Sequence, residues 1–230
     1  FHASGAWHLR SGTVAVHLDL VSSAVARRAF ALLRDLGVRS EIRTYSRQAF
    51  DRATRYQLHV DVDERAAEVL RDAGVLSPSG APLEQPPKRV VGRSCCQGAY
   101  LRGAILGAGS LSGPRNPHLE LRAGTIGGAR FLADVAARAD VELNVAERRA
   151  HAVAYAKGHE AIAAVLALAG AGDTALRLEE HAVLAALRAE ANRLANADEA
   201  NLVRSARAAH EQLEAINAVE RDLKARFPEI

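Results

Sequence analysis

Few side chains in this 230-residue sequence stand at a spacing that performs chemistry unaided. Converging carboxylates could hold a hard divalent cation, and imidazoles or thiols at short intervals could hold zinc. His8, His17 and His118 are candidates by type only, because the sequence sets no converging ligands beside them. Cys95 and Cys96 are adjacent, a spacing that rarely meets disulfide geometry, and no second pair completes a zinc site. They are expected to open a helix as small buried residues in a reducing compartment. Gly124-Thr125-Ile126-Gly127-Gly128 is too short and wrongly phased for a dinucleotide fingerprint and reads as a turn before a helix. Phosphate loops, nucleophile elbows and kinase signatures are absent. The sequence therefore implies neither a metal nor a cofactor.

The most informative stretch has another character. Leu101-Arg102-Gly103-Ala104-Ile105-Leu106-Gly107-Ala108-Gly109-Ser110 reads as an apolar helix of small residues that ends at glycine. Gly103 and Gly107 are four apart and share one helix face, which invites close approach of a second backbone. Glycine inside a soluble helix costs about 1 kcal/mol against alanine, so tight packing against this face is expected. A relic of the pattern opens the chain at Phe1-His2-Ala3-Ser4-Gly5-Ala6. Two such helices would meet at a pseudo-two-fold seam formed by Ala3, Gly5, Gly103, Gly107 and Gly109.

The elements around these motifs occur twice. His17-Leu18-Asp19-Leu20 is answered by His118-Leu119-Glu120-Leu121, both with strand alternation. A helix follows in each half (residues 24–36 and 127–139), then strands at 39–45 and 141–147, and strands at 56–62 and 151–157. Closing helices, 64–73 and 159–169, end at Gly74 and Gly170 in the C-cap role. The fold class is α+β. Residues 1–76 form a first half, 77–94 a Pro/Ser-rich linker, 95–172 a second half, and 173–230 a helical segment. In that segment one helix covers 173–191, and Asp198 is expected to cap a last helix running to about Arg226.

The glycine-terminated helix and the duplicated order resemble the LAGLIDADG homing endonucleases. In that family an acid just before the closing glycine of each motif holds catalytic metal. Here those positions fall on Ser4 and Ala108, so the resemblance implies a retained scaffold without the metal site. A second resemblance is narrower. Asn192-Arg193, Asn196, and Asn201 in Asn192-Arg193-Leu194-Ala195-Asn196-Ala197-Asp198-Glu199-Ala200-Asn201-Leu202, with Cys95-Cys96 leading into Tyr100-Leu101-Arg102-Gly103-Ala104, are similar to the signatures of the WhiA family. That resemblance implies a bacterial transcription regulator of sporulation and cell division, with a degenerate LAGLIDADG-like domain before a helix-turn-helix. It also implies double-stranded DNA as a partner, RNA polymerase or another regulator as a second, and a cytoplasmic, nucleoid-associated location. The family's cysteine between the two signature asparagines is Ala197 here. A start at Phe1, the absence of methionine and a last residue at Ile230 lead us to expect a piece of a longer protein.

Composition is compatible with this reading. Apolar residues make up 49% and charged residues 25%, as in soluble globular proteins, and no run is long enough to span a bilayer. The net charge of +3 permits nucleic-acid binding without demanding it. Strand alternation places Val14, Val16, Leu18, Leu20, Tyr56, Leu58, Val60 and Val62 inward. It leaves His17, Arg43, Arg55, Gln57, His118 and Arg122 outward, where their donors suit phosphates and base edges. Acids interrupt these faces, notably Asp19, Glu41, Asp61 and Glu120. The alternative reading is a protein-interaction scaffold without direct DNA contact.

Overall fold

The computed structural model describes residues 1–10, 13–46, 54–113 and 116–226. Two compact units result, Phe1–Glu180 and His181–Ile230. The first unit holds two halves with the same sheet order. Its first half contains β1 (Gly5–Arg10), β2 (Thr13–Leu20), α1 (Ser23–Asp35), β3 (Glu41–Ser46), β4 (Thr54–Asp61) and α2 (Glu64–Asp72). Its second half contains α3 (Ser94–Ala108), β5 (Gly109–Leu111), β6 (His118–Ala123), α4 (Ile126–Ala137), β7 (Asn144–Glu147), β8 (Ala152–Lys157) and α5 (His159–Leu168). Both sheets are antiparallel, ordered β1-β2-β4-β3 and β5-β6-β8-β7.

Local chemistry accounts for the boundaries. Ser22 caps α1 through its side chain, Asp63 caps α2 by accepting from the Ala66 amide, and Thr125 caps α4 by accepting from the Gly128 amide. The closing helices stop at Gly74 and Gly170, whose φ angles of 71° and 75° suit glycine. Each half then buries one sheet face under its helices. Val16, Leu58 and Val60 are fully buried in the first core, and Leu121, Val135, Ile162 and Val165 in the second. Each such side chain contributes roughly 1.5–3 kcal/mol by burial. The segment after α2 packs on both halves: Leu76 bridges Pro82 and Pro87 packs beneath Gly74 in the first, while Val91 is buried in the second core.

Several expectations need correction. Residues 2–4 form a turn, and Gly5 already begins β1, so a single helical turn (Gly5 amide to Phe1 carbonyl, 2.7 Å) stands where a first motif helix was expected. The strand β1 was not foreseen, because Gly-Ala-Trp-His-Leu-Arg carries weak alternation. Trp7 packs from it against the first core. Val14 is 39% exposed rather than inward. Leu36, the last residue of the helix expected over 24–36, lies at the C-cap of α1 and is 49% exposed. Cys95 is exposed and Cys96 half-buried, with their sulfurs 3.9 Å apart and unbonded.

The repeat alignment also moves. Leu18 pairs with Gly5 and Leu121 with Gly109, so Leu18 matches Leu121 and His17 matches Glu120. The sequence match was displaced by two residues. Such a slip keeps every side chain on its face, which is why alternation alone did not reveal it.

Finally, α6 runs unbroken from Gly172 to Arg226. Asp198 is an interior residue, not a cap. The segment after Gly172 has no glycine or proline until Pro228, and asparagine costs only a fraction of a kcal/mol within a helix. Asn192, Arg193, Asn196 and Asn201 are all exposed, and Asn201 accepts a hydrogen bond from Arg204. Pairs one turn apart, Arg207–Glu211 at 2.9 Å and Arg226–Asp222 at 3.2 Å, lie along its surface.

Candidate nucleic-acid interface

The outward face of the first sheet is ordered by strand register. One row across it reads Ala6, His17, His59, Glu41, and the next reads Asp19, Gln57, Arg43, with Tyr45 beside Arg55 beyond. His8 follows Ala6 on the same face of β1. The charged groups are largely engaged with one another. Arg43 donates twice to Glu41 Oε2 (3.0 and 2.8 Å), and that hydrogen bond holds the Glu41 carboxyl below its ordinary pKa. Asp19 Oδ1 accepts from Tyr45 Oη at 3.2 Å and from Gln57 Nε2 at 3.3 Å. His59 Nε2 lies 2.9 Å from Asp61 Oδ1. The imidazole of His17 lies between two others at a tilt, with ring centres 4.2 Å from His8 and 4.6 Å from His59. Burial first, and then the neighbouring imidazoles, hold its pKa below the usual value.

The second sheet presents a different set. Its corresponding row reads Ser110, Glu120, Tyr155, Asn144, and His118 lies opposite Lys157. Glu120 Oε1 is 3.3 Å from Arg148 Nη2 and 3.6 Å from His118 Nε2. The Tyr155 ring meets His118 edge-on at 5.4 Å and sits 5.5 Å beneath the Lys157 ammonium. Arg122 is exposed one register step further. Basic groups outnumber acids here, whereas on the first face Asp19, Glu41 and Asp61 outnumber Arg43 and Arg55.

The structure thus places His17, Gln57, Arg43 and Arg55 on one face and His118 and Arg122 on another. Alternation had also turned His59 outward beside Arg55 and Gln57 and set Tyr45 on the Arg43 face, as the structure has them; Tyr155 and Lys157 were not singled out, and His8 was weighed only as a metal or catalytic candidate. His118-Leu119-Glu120 carries a usable signal, since residues two apart in a strand share a face.

At the seam the motif glycines behave unequally. A side chain on Gly107 would meet Ser4 Oγ at 3.2 Å, so the relic of the first motif does touch α3 there. Gly103 has no neighbour within 4 Å of a built Cβ, contrary to the tight packing expected of it. It faces an apolar groove of about 570 Å³ lined by Phe1, Ser4, Val25, Leu32, Tyr100 and Leu106 among others. The close approach falls at Gly98, where α3 presses on the Leu168 carbonyl of α5. Gly5 and Gly109 do equivalent work at the ends of their motifs, each facing the carbonyl four residues earlier, Phe1 and Ile105. Each half also ties its motif to its own closing helix: His2 Nε2 lies 3.1 Å from the Gly74 carbonyl, and Arg102 Nε donates to Ala169 at 2.6 Å. Ser4 and Ala108 occupy the positions before the two closing glycines. Among the described residues, no group of three or more His, Cys, Asp or Glu could hold a metal ion, and no helix is long and apolar enough to cross a membrane.

Two four-stranded sheets of one order, joined through a glycine-rich motif helix, define a LAGLIDADG-like protein. Residues 1–76 match the WhiA N-terminal LAGLIDADG-like domain and residues 97–188 the WhiA LAGLIDADG-like domain. The probable cell division protein WhiA of Symbiobacterium thermophilum is 32% identical over 91% of this chain and 67% of its own length. The protein of the same name from Mycobacteroides abscessus is 37% identical over 90% and 63%, and that of Heliobacterium modesticaldum is 30% identical over 86% and 63%. This chain belongs to the WhiA family. It spans about two thirds of the length of these relatives. In structure it resembles full-length DUF199/WhiA from Thermatoga maritima, with a TM-score of 0.63 at 18% identity over 96% of this chain and 70% of that one. The N-terminal LAGLIDADG domain of DUF199/WhiA gives 0.56 at 18% identity, over 74% and 76%.

Proposed function

We propose that this chain is the scaffold part of a DNA-binding transcription regulator of sporulation and cell division, and that the scaffold no longer cuts DNA. The observation that carries the reading is the pair of outward sheet faces. The second groups Arg122, Arg148, Lys157, Tyr155 and Asn144 as donors around a single carboxylate, Glu120. Guanidinium and ammonium groups position a phosphate backbone, and amide and hydroxyl groups read base edges. Catalytic silence is supported by Ser4 and Ala108. Alanine offers a hard cation nothing, and a serine hydroxyl is a poor substitute for carboxylate. A helix-turn-helix beyond Ile230 would supply the main sequence reading, with a location at the nucleoid.

Gel-shift titration with duplex DNA tests this. Weak, salt-sensitive binding by this chain is expected, and Arg122→Glu with Lys157→Glu should abolish it. Unaltered binding by that double variant sinks the reading. Plasmid incubated with magnesium should stay intact, and cleavage that a chelator stops would reverse the assignment. The second reading, a scaffold for RNA polymerase or another regulator without DNA contact, is favoured by the mutual pairing of charges on the first sheet. Charge reversal at Arg43 and Arg55 separates the two: DNA affinity and salt slope unchanged at both neutral and mildly acidic pH would remove that sheet from the DNA surface.

A further inference from the structure

The feature that the proposed function leaves unexplained is the row of three histidines on the first sheet. His8 comes from β1, His17 from β2 and His59 from β4. Their rings lie in a tilted row, with centres 4.2 and 4.6 Å apart and planes inclined by 32° and 53°. His17 Nε2 and His59 Nδ1 are buried and have no hydrogen-bond partner in the protein. A buried polar nitrogen without a partner is costly, and since both rings belong to the outward face, turning them outward would bring these nitrogens to an external partner. The groups facing the row are Asp19 on β2, Arg55, Gln57 and Asp61 on β4, and Glu41, Arg43 and Tyr45 on β3. Of these, Arg43 is held by Glu41, and among the described residues Asp61 is the acid within hydrogen-bond reach of the row. With neutral imidazoles the described charges on this face sum to slightly negative. With the row protonated they become positive.

We infer that His8, His17 and His59 form a proton-dependent phosphate contact, so that the first sheet engages double-stranded DNA in mildly acidic solution and releases it as the pH rises. The inference rests on the DNA reading above. Burial and the neighbouring imidazoles disfavour a charge on His17 in the free protein. A phosphate laid along the row offsets that cost, so binding and proton uptake are linked. The sign follows: affinity increases as pH falls, and each added phosphate contact steepens the salt dependence by about 0.9 in slope. A patch of this kind would make the two sheets unequal, the second binding at all pH values and the first only under acid.

The test is fluorescence anisotropy of the whole chain on a labelled 30-base-pair random duplex, at constant low salt, at pH 7.5 and 5.5. Wild type should gain at least tenfold in affinity at the lower pH, with a steeper salt slope. The His8→Gln, His17→Gln, His59→Gln triple variant should gain less than twofold on the same change of pH. His210→Gln, on α6 and outside both sheets, should keep the full response. Circular dichroism at both pH values establishes that each variant is folded. Should the triple variant unfold, His17→Gln alone must still lose at least threefold of the response. An undiminished pH response in the triple variant, or none in wild type that does bind, overturns the histidine assignment and leaves the DNA reading standing. Absence of binding by wild type at both pH values overturns both.

Discussion

Two glycines five residues apart on α3 should respond in opposite directions to the same change. At Gly103 a built Cβ meets nothing within 4 Å. Alanine there gains helix propensity without a clash, worth up to about 1 kcal/mol of stabilisation. At Gly98 the new methyl would collide with the backbone carbonyl of Leu168, an atom that no side-chain rotation can move. Either α3 and α5 separate or the last turn of α5 shifts, and overpacking of this kind costs roughly 1–3 kcal/mol. The propensity gain offsets only part of it, so Gly98→Ala should be net destabilising by about 1–2 kcal/mol. For a unit of this size 1 kcal/mol corresponds to about 2–4 °C in Tm. Differential scanning calorimetry should therefore show Gly103→Ala melting at or slightly above wild type and Gly98→Ala several degrees below. A Gly103→Ala variant that loses as much as Gly98→Ala would refute the reasoning, because it would mean that a backbone seats on the open groove after all.

Other consequences follow from the same packing. Arg102→Ala removes the guanidinium that donates to Ala169 at 2.6 Å and lies under Gly170; a charged hydrogen bond is worth about 1.5–3 kcal/mol, and urea unfolding should show a loss of that order. Burial lowers the His2 pKa to about 4 from an ordinary 6.5. The unfolded chain therefore takes up a proton that the folded chain refuses: stability from this group is complete above pH 6.5, is lost as the pH falls toward 4, and His2→Gln should flatten that dependence in thermal melts. Glu199→Pro distinguishes one continuous α6 from two helices. Proline after an Asp198 cap would be tolerated at a helix start, whereas inside a helix it costs about 3 kcal/mol and should lower ellipticity at 222 nm.

How much of this was legible depended on the range of the interaction involved. Strand alternation and glycine caps are local, and they placed β2, β4, β6, β8, α1, α2, α4 and α5 within a few residues of their observed ends. Features that depend on a distant partner were not legible. Gly98 looks no different from Gly103 until α5 arrives against it from seventy positions away. The imidazole row is assembled by the register of three strands, and nothing in the spacing of His8, His17 and His59 announces it. The α6 error had the opposite cause. Three asparagines in ten residues read as a break, yet each costs a helix only a fraction of a kcal/mol, and alanine and leucine around them outweigh that.

The corrected register changes what the repeat means. With His17 matched to Glu120, Asp19 falls on Arg122, His59 on Tyr155, Glu41 on Asn144 and Asp61 on Lys157. The backbone is duplicated, but at Asp19/Arg122 and Asp61/Lys157 the charge is reversed between halves. A DNA surface built from both faces would therefore not read two identical half-sites, because the same groove position would meet a carboxylate in one half and a cation in the other. On the proposed function, a footprint of this chain on DNA should be lopsided, protecting the side under the second sheet at neutral pH and extending toward the first only when its histidines are charged. A symmetric footprint at pH 7.5 would show that the backbone repeat, not the side chains on it, governs how the protein lies on DNA.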